Sequence, residues 1–390
     1  MHKLEGLLAR VFLAQVAVIV SFVALEFGAN VFLTTIASPT QFNRYASWRQ
    51  LERRYGKEGS SVSPHLYLGH FPRPGWHRGA NRHNALGYRG REIEIPKPSG
   101  EFRIVCLGGS TTYTSEVEDY RLSYPDQLED YLHGKGYANV RVINGGFFNW
   151  TSWESLINFE LRSLDLEPDL VLVYHGVNDV PERLVWPPEA YRGDRSGSKS
   201  ANATFFVPHL LEYSTLARIL LIKFGLVAPH SALQRVVTNR PPTAYIDEWQ
   251  ATRPDRLAEG QTARGFFSEV SPDSMISSNP PKYFRRNLEN LVAIASYRGI
   301  DVVLATFAYQ NLPVEEGGSP LHWAAIDEHN EVVRSLALAT PAFLFDFQSL
   351  FPVDSGFFAP GGIHLNANGA RAKARFFGDY LITNRLLGGN

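Results

Sequence analysis

RIVCLGGSTT, residues 103–112, is the stretch on which the reading of this chain turns. An apolar run, led in by Phe102 and carried by Ile104 to Leu107, stops at two glycines followed by a serine and two threonines. A short β-branched run ending in Gly-Gly reads as a buried strand that stops abruptly. Glycine lets the backbone turn tightly there, which puts Ser110 at the carboxyl end of a strand. In open α/β sheets that edge is where ligands bind. An ordinary strand-to-helix turn with a capping serine would use the same residue types, so the rest of the chain has to decide.

Outward from this stretch the sequence alternates. Apolar runs at Ile104–Leu107, Val140–Ile143, Leu170–Tyr174, Asp301–Thr306 and Phe343–Phe347 are separated by helical patterns. Those patterns cover Tyr124–His133, Ser152–Leu164, Tyr283–Tyr297, Trp323–Leu338 and Ala370–Leu386. Such alternation predicts a mostly parallel sheet covered on both faces, and right-handed crossovers make it a doubly wound sandwich. Residues 185–281 break the rhythm and are read as an insertion, a cap beside the site or a partner surface. Its hydrophobic block at Leu210–Leu226 is expected to pack on the core rather than dip into a membrane face. Residues 38–100, rich in Pro, Gly, Arg, Tyr and His without periodicity, read as a stem and a loop-rich lead-in to a domain over 101–390.

Composition narrows the classes. The chain has 390 residues, 44% of them apolar, and a net charge of -1, which gives no electrostatic signature for nucleic acid. One cysteine, Cys106, excludes an intrachain disulfide and a CxxC-type zinc site; inside a strand it reads as a small hydrophobe. No HExxH-type metal spacing and no Gly-rich phosphate loop is present, so no cofactor is expected. At the amino terminus, Val11 to Leu25 is uninterrupted by charge, the apolar character resumes after Glu26 from Phe27 to Ala37, and Lys3 and Arg10 precede the segment. It is long enough for a hydrocarbon core of roughly 20 residues, and the basic flank puts residues 1–10 in the cytoplasm and the bulk of the chain outside. A retained anchor over 11–37 is expected, because no small-x-small site follows Leu25 as a cleavable signal peptide requires. A buried core helix is the third reading.

Four small clusters fall at successive strand ends: Gly108-Gly109-Ser110-Thr111, Asn144-Gly145-Gly146, Gly176-Val177-Asn178-Asp179 and Gly362-Ile363-His364-Leu365-Asn366. In this order they resemble the four blocks of the SGNH (GDSL-like) hydrolases, and the likeness runs from about Phe102 to the end of the chain. The apolar amino-terminal segment and stem look like those of the membrane-anchored bacterial members. The resemblance implies a three-layer α/β/α sandwich with a flavodoxin-like five-stranded parallel sheet. It implies Ser110 as nucleophile, His364 as base, and oxyanion donors from the Ser110 N–H, the Gly146 N–H and the Asn178 side chain. The chemistry is consistent, since a serine hydroxyl needs a base to become nucleophilic and an oxyanion needs preorganised donors.

Two positions depart from the pattern. Gly109 stands where the family often has aspartate. The His block usually reads Asp-x-x-His, but the residue three before His364 is Gly361; that aspartate normally orients the imidazole. Asp354 or Asp346 is the candidate replacement, with a Ser-His dyad held by a backbone carbonyl as the other option. His175 reads as a strand-end residue. The expected activity is a membrane-anchored serine esterase acting on an O-acetyl carbohydrate or a lipid acyl ester. An O-acyltransferase of envelope polysaccharide shares the machinery, and a silent binding module of an envelope complex is the reading from another class.

Overall fold

The computed structural model of the chain describes residues 2–47, 50, 61–65, 68–186, 188–194, 213–227, 244–245, 270–316, 318–353 and 356–388. The five apolar runs pair as one parallel sheet: β1 (Phe102–Gly108), β2 (Val140–Gly146), β3 (Leu170–Tyr174), β4 (Asp301–Ala305) and β5 (Phe343–Phe345). Read across the sheet the order is 2-1-3-4-5, the flavodoxin-like doubly wound order, whose topological switch lies beside β1. The fold class is therefore the one the sequence predicts.

Because strand side chains alternate faces, β1 feeds both layers. Ile104 and Cys106 pack with Leu128 and Leu132 of α3 (Tyr124–Gly134) and with Ala374, Phe377 and Leu381 of α7 (Ala367–Thr383). Val105 and Leu107 point the other way, toward Leu156 of α4 (Ser152–Asn158), Leu288 and Leu291 of α5 (Lys282–Tyr297) and Val333 of α6 (Pro320–Ala339). Both faces of the sheet are thus buried, as near-continuous apolar strands require. The helix read over Ser152–Leu164 is α-helical only to Asn158; Phe159–Ser163 is a π turn and Leu164–Leu166 a 3₁₀ turn.

The chain forms two compact units, Ser61–Lys199 with Val237–Asn390, and Met1–Ser60 with Ser200–Val236. In the first, the lead-in contributes two short hairpins, Val62–His65 with Gly69–Pro72 and His77–Arg78 with Asn81–Arg82, and Arg89 bridges to Asn144 of β2. In the second, α1 (His2–Val31) runs on through a π-helical turn at Phe32–Ile36. The apolar span Gly6–Ile36 is long enough to cross a membrane, about 46 Å at 1.5 Å per residue. Large side chains such as Phe12, Leu13, Ile19 and Phe27 lie exposed on it. Glu26 does not stand bare in that span. Its carboxylate accepts hydrogen bonds from Ser214 Oγ (2.8 Å), the Thr215 amide and the Leu216 amide (3.0 Å), at the start of helix Thr215–Lys223. Within the Leu210–Leu226 block, helix Thr215–Lys223 therefore packs on α1. Most of the 185–281 insertion, including residues 195–212 and 246–269, lies outside the described residues.

Candidate active site

At the carboxyl end of β1 the chain turns through Gly109 into α2 (Ser110–Tyr113), so the Ser110 amide opens a helix and has no intrahelical acceptor. The turn is tight for a specific reason. A Cβ at Gly109 would lie 2.3 Å from Asn178 Nδ2 and 3.0 Å from the Trp150 carbonyl oxygen. Glycine at 109 is what lets the β3 loop close on the serine turn.

The Ser110 hydroxyl and His364 Nε2 are 2.8 Å apart, across 254 residues of sequence. His364 sits in a compact loop before α7, braced where the Ala359 amide donates to the His364 carbonyl (2.8 Å) and the Gln310 amide to that of Gly362 (2.7 Å). Burial lowers the imidazole pKa and the Glu116 carboxylate acts in the opposite sense. The ring is consequently neutral at pH 7, the state in which Nε2 accepts a proton from a serine hydroxyl.

Asn178 lies in the 3₁₀ turn Val177–Asp179 after β3. Its Nδ2 donates to the Trp150 carbonyl at 2.9 Å, which leaves the second amide hydrogen for another acceptor. The Gly146 amide donates to Asn144 Oδ1 at 3.2 Å. Glycine at 146 also serves packing, since a Cβ there would lie 2.6 Å from the Tyr113 nitrogen. Beside Asn178, Asp179 accepts from the Ser152 amide (3.1 Å) and hydroxyl (2.6 Å) and so caps α4 from outside. Burial pushes its carboxyl up to about 8, against the Ser152 donors. His175 is a buried core residue: its Nε2 meets Ser155 Oγ at 2.7 Å, and burial pushes it down to about 3. Cys106 is fully buried with its thiol pushed up to about 12 by burial.

The candidate acids sort differently from expectation. Asp346 does not reach His364: it accepts from Thr306 Oγ1 (2.8 Å), Ser349 Oγ (2.8 Å) and the Arg334 guanidinium (2.9 Å). It is spent on tying β5 to α6. Asp354 lies outside the described residues. Gly361 has φ +96°, a backbone that an aspartate would adopt only with strain. The carboxylate found near His364 is one the sequence reading passed over, Glu116, whose Oε1 is 3.8 Å from Nδ1. Buried Arg89, also passed over, donates to the carbonyls of Tyr113, Thr114 (2.8 Å) and Val117 (2.7 Å) and so fixes the loop that carries Glu116. Glu116 lies only six residues after Ser110, but nothing in that spacing shows that the loop doubles back.

No family model matches the chain, and no curated protein does. Solved structures similar to it include a lipase/acylhydrolase from Enterococcus faecalis, with 15% identity over 73% of this chain and 96% of that one at a TM-score of 0.41. A variant of an acetyl xylan esterase from Geobacillus stearothermophilus gives 15% identity over 74% and 97%, TM-score 0.40. A GDSL-like lipase from Bacteroides thetaiotaomicron gives 14% over 75% and 91%, TM-score 0.37.

Proposed function

We propose that this chain is an SGNH-type serine esterase, held to a membrane by α1 with its amino terminus in the cytoplasm, that cleaves an O-acetyl carbohydrate or lipid acyl ester. The observation that carries the reading is the 2.8 Å contact between Ser110 Oγ and His364 Nε2 at the carboxyl edge of a parallel sheet. A silent module has no need of a neutral imidazole aimed at a serine at this edge.

In the proposed reaction His364 Nε2 takes the Ser110 proton as Oγ attacks the ester carbonyl. The carbonyl π electrons move onto oxygen, and that oxyanion accepts from the Ser110 amide and from the second Nδ2 hydrogen of Asn178. Gly146 supplies a third donor once its amide leaves Asn144 Oδ1. Collapse of the intermediate expels the alkoxide, which takes the proton back from His364. Water then repeats the sequence on the acyl-serine and releases the carboxylic acid. For the anchor, the supporting facts are the length of Gly6–Ile36, the basic Lys3 and Arg10 ahead of its uncharged run from Val11, and the hydrogen bonds that satisfy Glu26.

The test is hydrolysis of aryl esters of increasing acyl length by the full chain in detergent, beside Ser110→Ala and His364→Ala. Turnover lost in both variants is the expected result, and the chain-length profile separates acetyl from lipid acyl substrates. Equal turnover by Ser110→Ala and the parent overturns the reading. Acylated sugar formed in place of free acid, when a carbohydrate acceptor is added, moves it to an O-acyltransferase.

A further inference from the structure

We infer that Glu116 is the carboxylate that positions His364, in the place an aspartate three residues before the histidine would take. The inference deepens the esterase reading and rests on it.

Glu116 Oε1 lies 3.8 Å from His364 Nδ1, while Nε2 on the far side of the same ring meets Ser110 Oγ at 2.8 Å. The imidazole is thus flanked by a hydroxyl to be deprotonated and a carboxylate able to hold its Nδ1–H. That arrangement selects the tautomer whose Nε2 lone pair faces serine, and it places a negative charge beside the imidazolium that forms. The proton travels only between Oγ, Nε2 and the leaving alkoxide.

Three further observations make the placement more than proximity. Thr114 adopts a left-handed backbone (φ 63°) that turns the chain back, and the Thr114 and Ser115 amides both donate to the Ser110 carbonyl, at 2.8 and 3.1 Å. Arg89, buried, grips the carbonyls on both sides of Glu116, so the glutamate backbone is fixed relative to the nucleophile. Among the described residues, no other carboxylate pairs with His364. The polar neighbour of Glu116 itself is Ser115 Oγ at 3.4 Å. Moving the carboxylate from 3.8 Å to hydrogen-bond length takes about 1 Å of side-chain adjustment, the kind of tightening expected when a substrate closes the site.

Both side chains are about a third exposed, 31% for His364 and 39% for Glu116, so water screens the pair. The expected loss on neutralising Glu116 is about 10- to 100-fold in kcat, well short of the ~10⁴ associated with a buried hydrogen-bonded aspartate. The experiment measures kcat, KM and their pH dependence for the full chain and for Glu116→Gln, Glu116→Asp and Asp346→Asn. Glu116→Gln should lose kcat with little change in KM, and its acid limb should move to lower pH, because the lost charge is one that raises the His364 pKa. Glu116→Asp should keep the parent limb, and Asp346→Asn should keep both rate and limb per folded molecule. A parent-like kcat and limb in Glu116→Gln, or the loss appearing in Asp346→Asn instead, overturns the inference. Failure of the esterase reading shows separately, as an inert parent or an active Ser110→Ala. In that event an NMR titration of the His364 ring still decides: an unchanged pKa in Glu116→Gln refutes the pairing and a lowered one upholds it.

Discussion

Gly109→Ala is the sharpest probe of the proposed oxyanion site. Gly109 has φ −87° and ψ −150°, an extended backbone with negative φ, so alanine meets none of the left-handed strain that positive φ imposes. The added methyl would instead stand 2.3 Å from Asn178 Nδ2, where ordinary contact begins at 3.4 Å. The asparagine amide must retreat by about 1.1 Å, and the Trp150 carbonyl to which it donates lies only 3.0 Å from the same methyl, so the pair is pushed together. A donor drawn back by that much leaves hydrogen-bond range of the oxyanion, a loss worth roughly 10²–10³ in kcat, or about 3–4 kcal/mol. The ground-state carbonyl gains little from the same donor, so KM should barely change. Stability should fall by only about 1 kcal/mol, for the strained bond from Asn178 to Trp150. Initial rates on an aryl acetate and a urea melt for Gly109→Ala, Asn178→Ala and the double variant give the full cycle. The double variant should be no worse than Asn178→Ala alone. A Gly109→Ala enzyme within about threefold of the parent would refute the assignment of Asn178 as donor.

Four further expectations follow from the same geometry. Restoring the expected acid by Gly361→Asp should lower the thermal midpoint, since φ +96° costs a non-glycine residue about 1–2 kcal/mol, and should not raise kcat; a faster enzyme would show that the loop accepts the aspartate. Cys106, buried with its thiol pushed up to about 12, should resist maleimide in the folded protein and react on unfolding; fast labelling of the native state would contradict its burial. Burial holds His83 and His322 at about 4 and His175 and His329 at about 3. The unfolded chain therefore takes up their protons as pH falls below 6.5, while Asp126 (about 7) and Asp179 (about 8), protonated early in the fold, oppose the trend. These four histidines, with His65 and His364 shifted the same way, outnumber the two acids, so stability should fall as pH drops from 6.5 toward 4, and a denaturation midpoint that stays level over that range would refute it. Glu26→Ala removes the acceptor at the start of helix Thr215–Lys223 and should cost about 0.5–2 kcal/mol there, read as faster amide exchange at Thr215 and Leu216; unchanged exchange would mean the cap is idle.

How much of this was legible in the sequence depends on the range of the interaction. The sheet was readable because β1 to β4 are buried on both faces and their β-branched runs announce it, and the strand ends located Ser110, Gly146 and Asn178 on one edge. Boundaries set by tertiary partners were not: α4 stops being α-helical at Asn158, where Asn158 Nδ2 turns to Ser163 Oγ at 3.2 Å and Tyr88 from the lead-in meets the same serine. The lead-in looked like a stem because short hairpins have no period to detect. Arg89 nonetheless threads into the sheet unit and is 3% exposed. Asp346 failed as a candidate because Arg334, twelve residues earlier on α6, claims it at 2.9 Å, a pairing that only the packed structure reveals.

Gly361 and Glu116 are two aspects of one arrangement. The histidine loop is closed by the Gln310 amide on the Gly362 carbonyl and turns through left-handed backbone at both 361 and 362. A loop so shaped has no unstrained place for an aspartate at 361, so a carboxylate for His364 must come from another element. Among the described residues, the segment after α2, which Thr114 already bends back toward Ser110, supplies one. On the reading proposed above, nucleophile and acid then ride on a single clamped loop, and only the base arrives from elsewhere. Alignment of the acid is set by the Arg89 clamp rather than by the histidine loop, so motion of that loop displaces the base from both partners together.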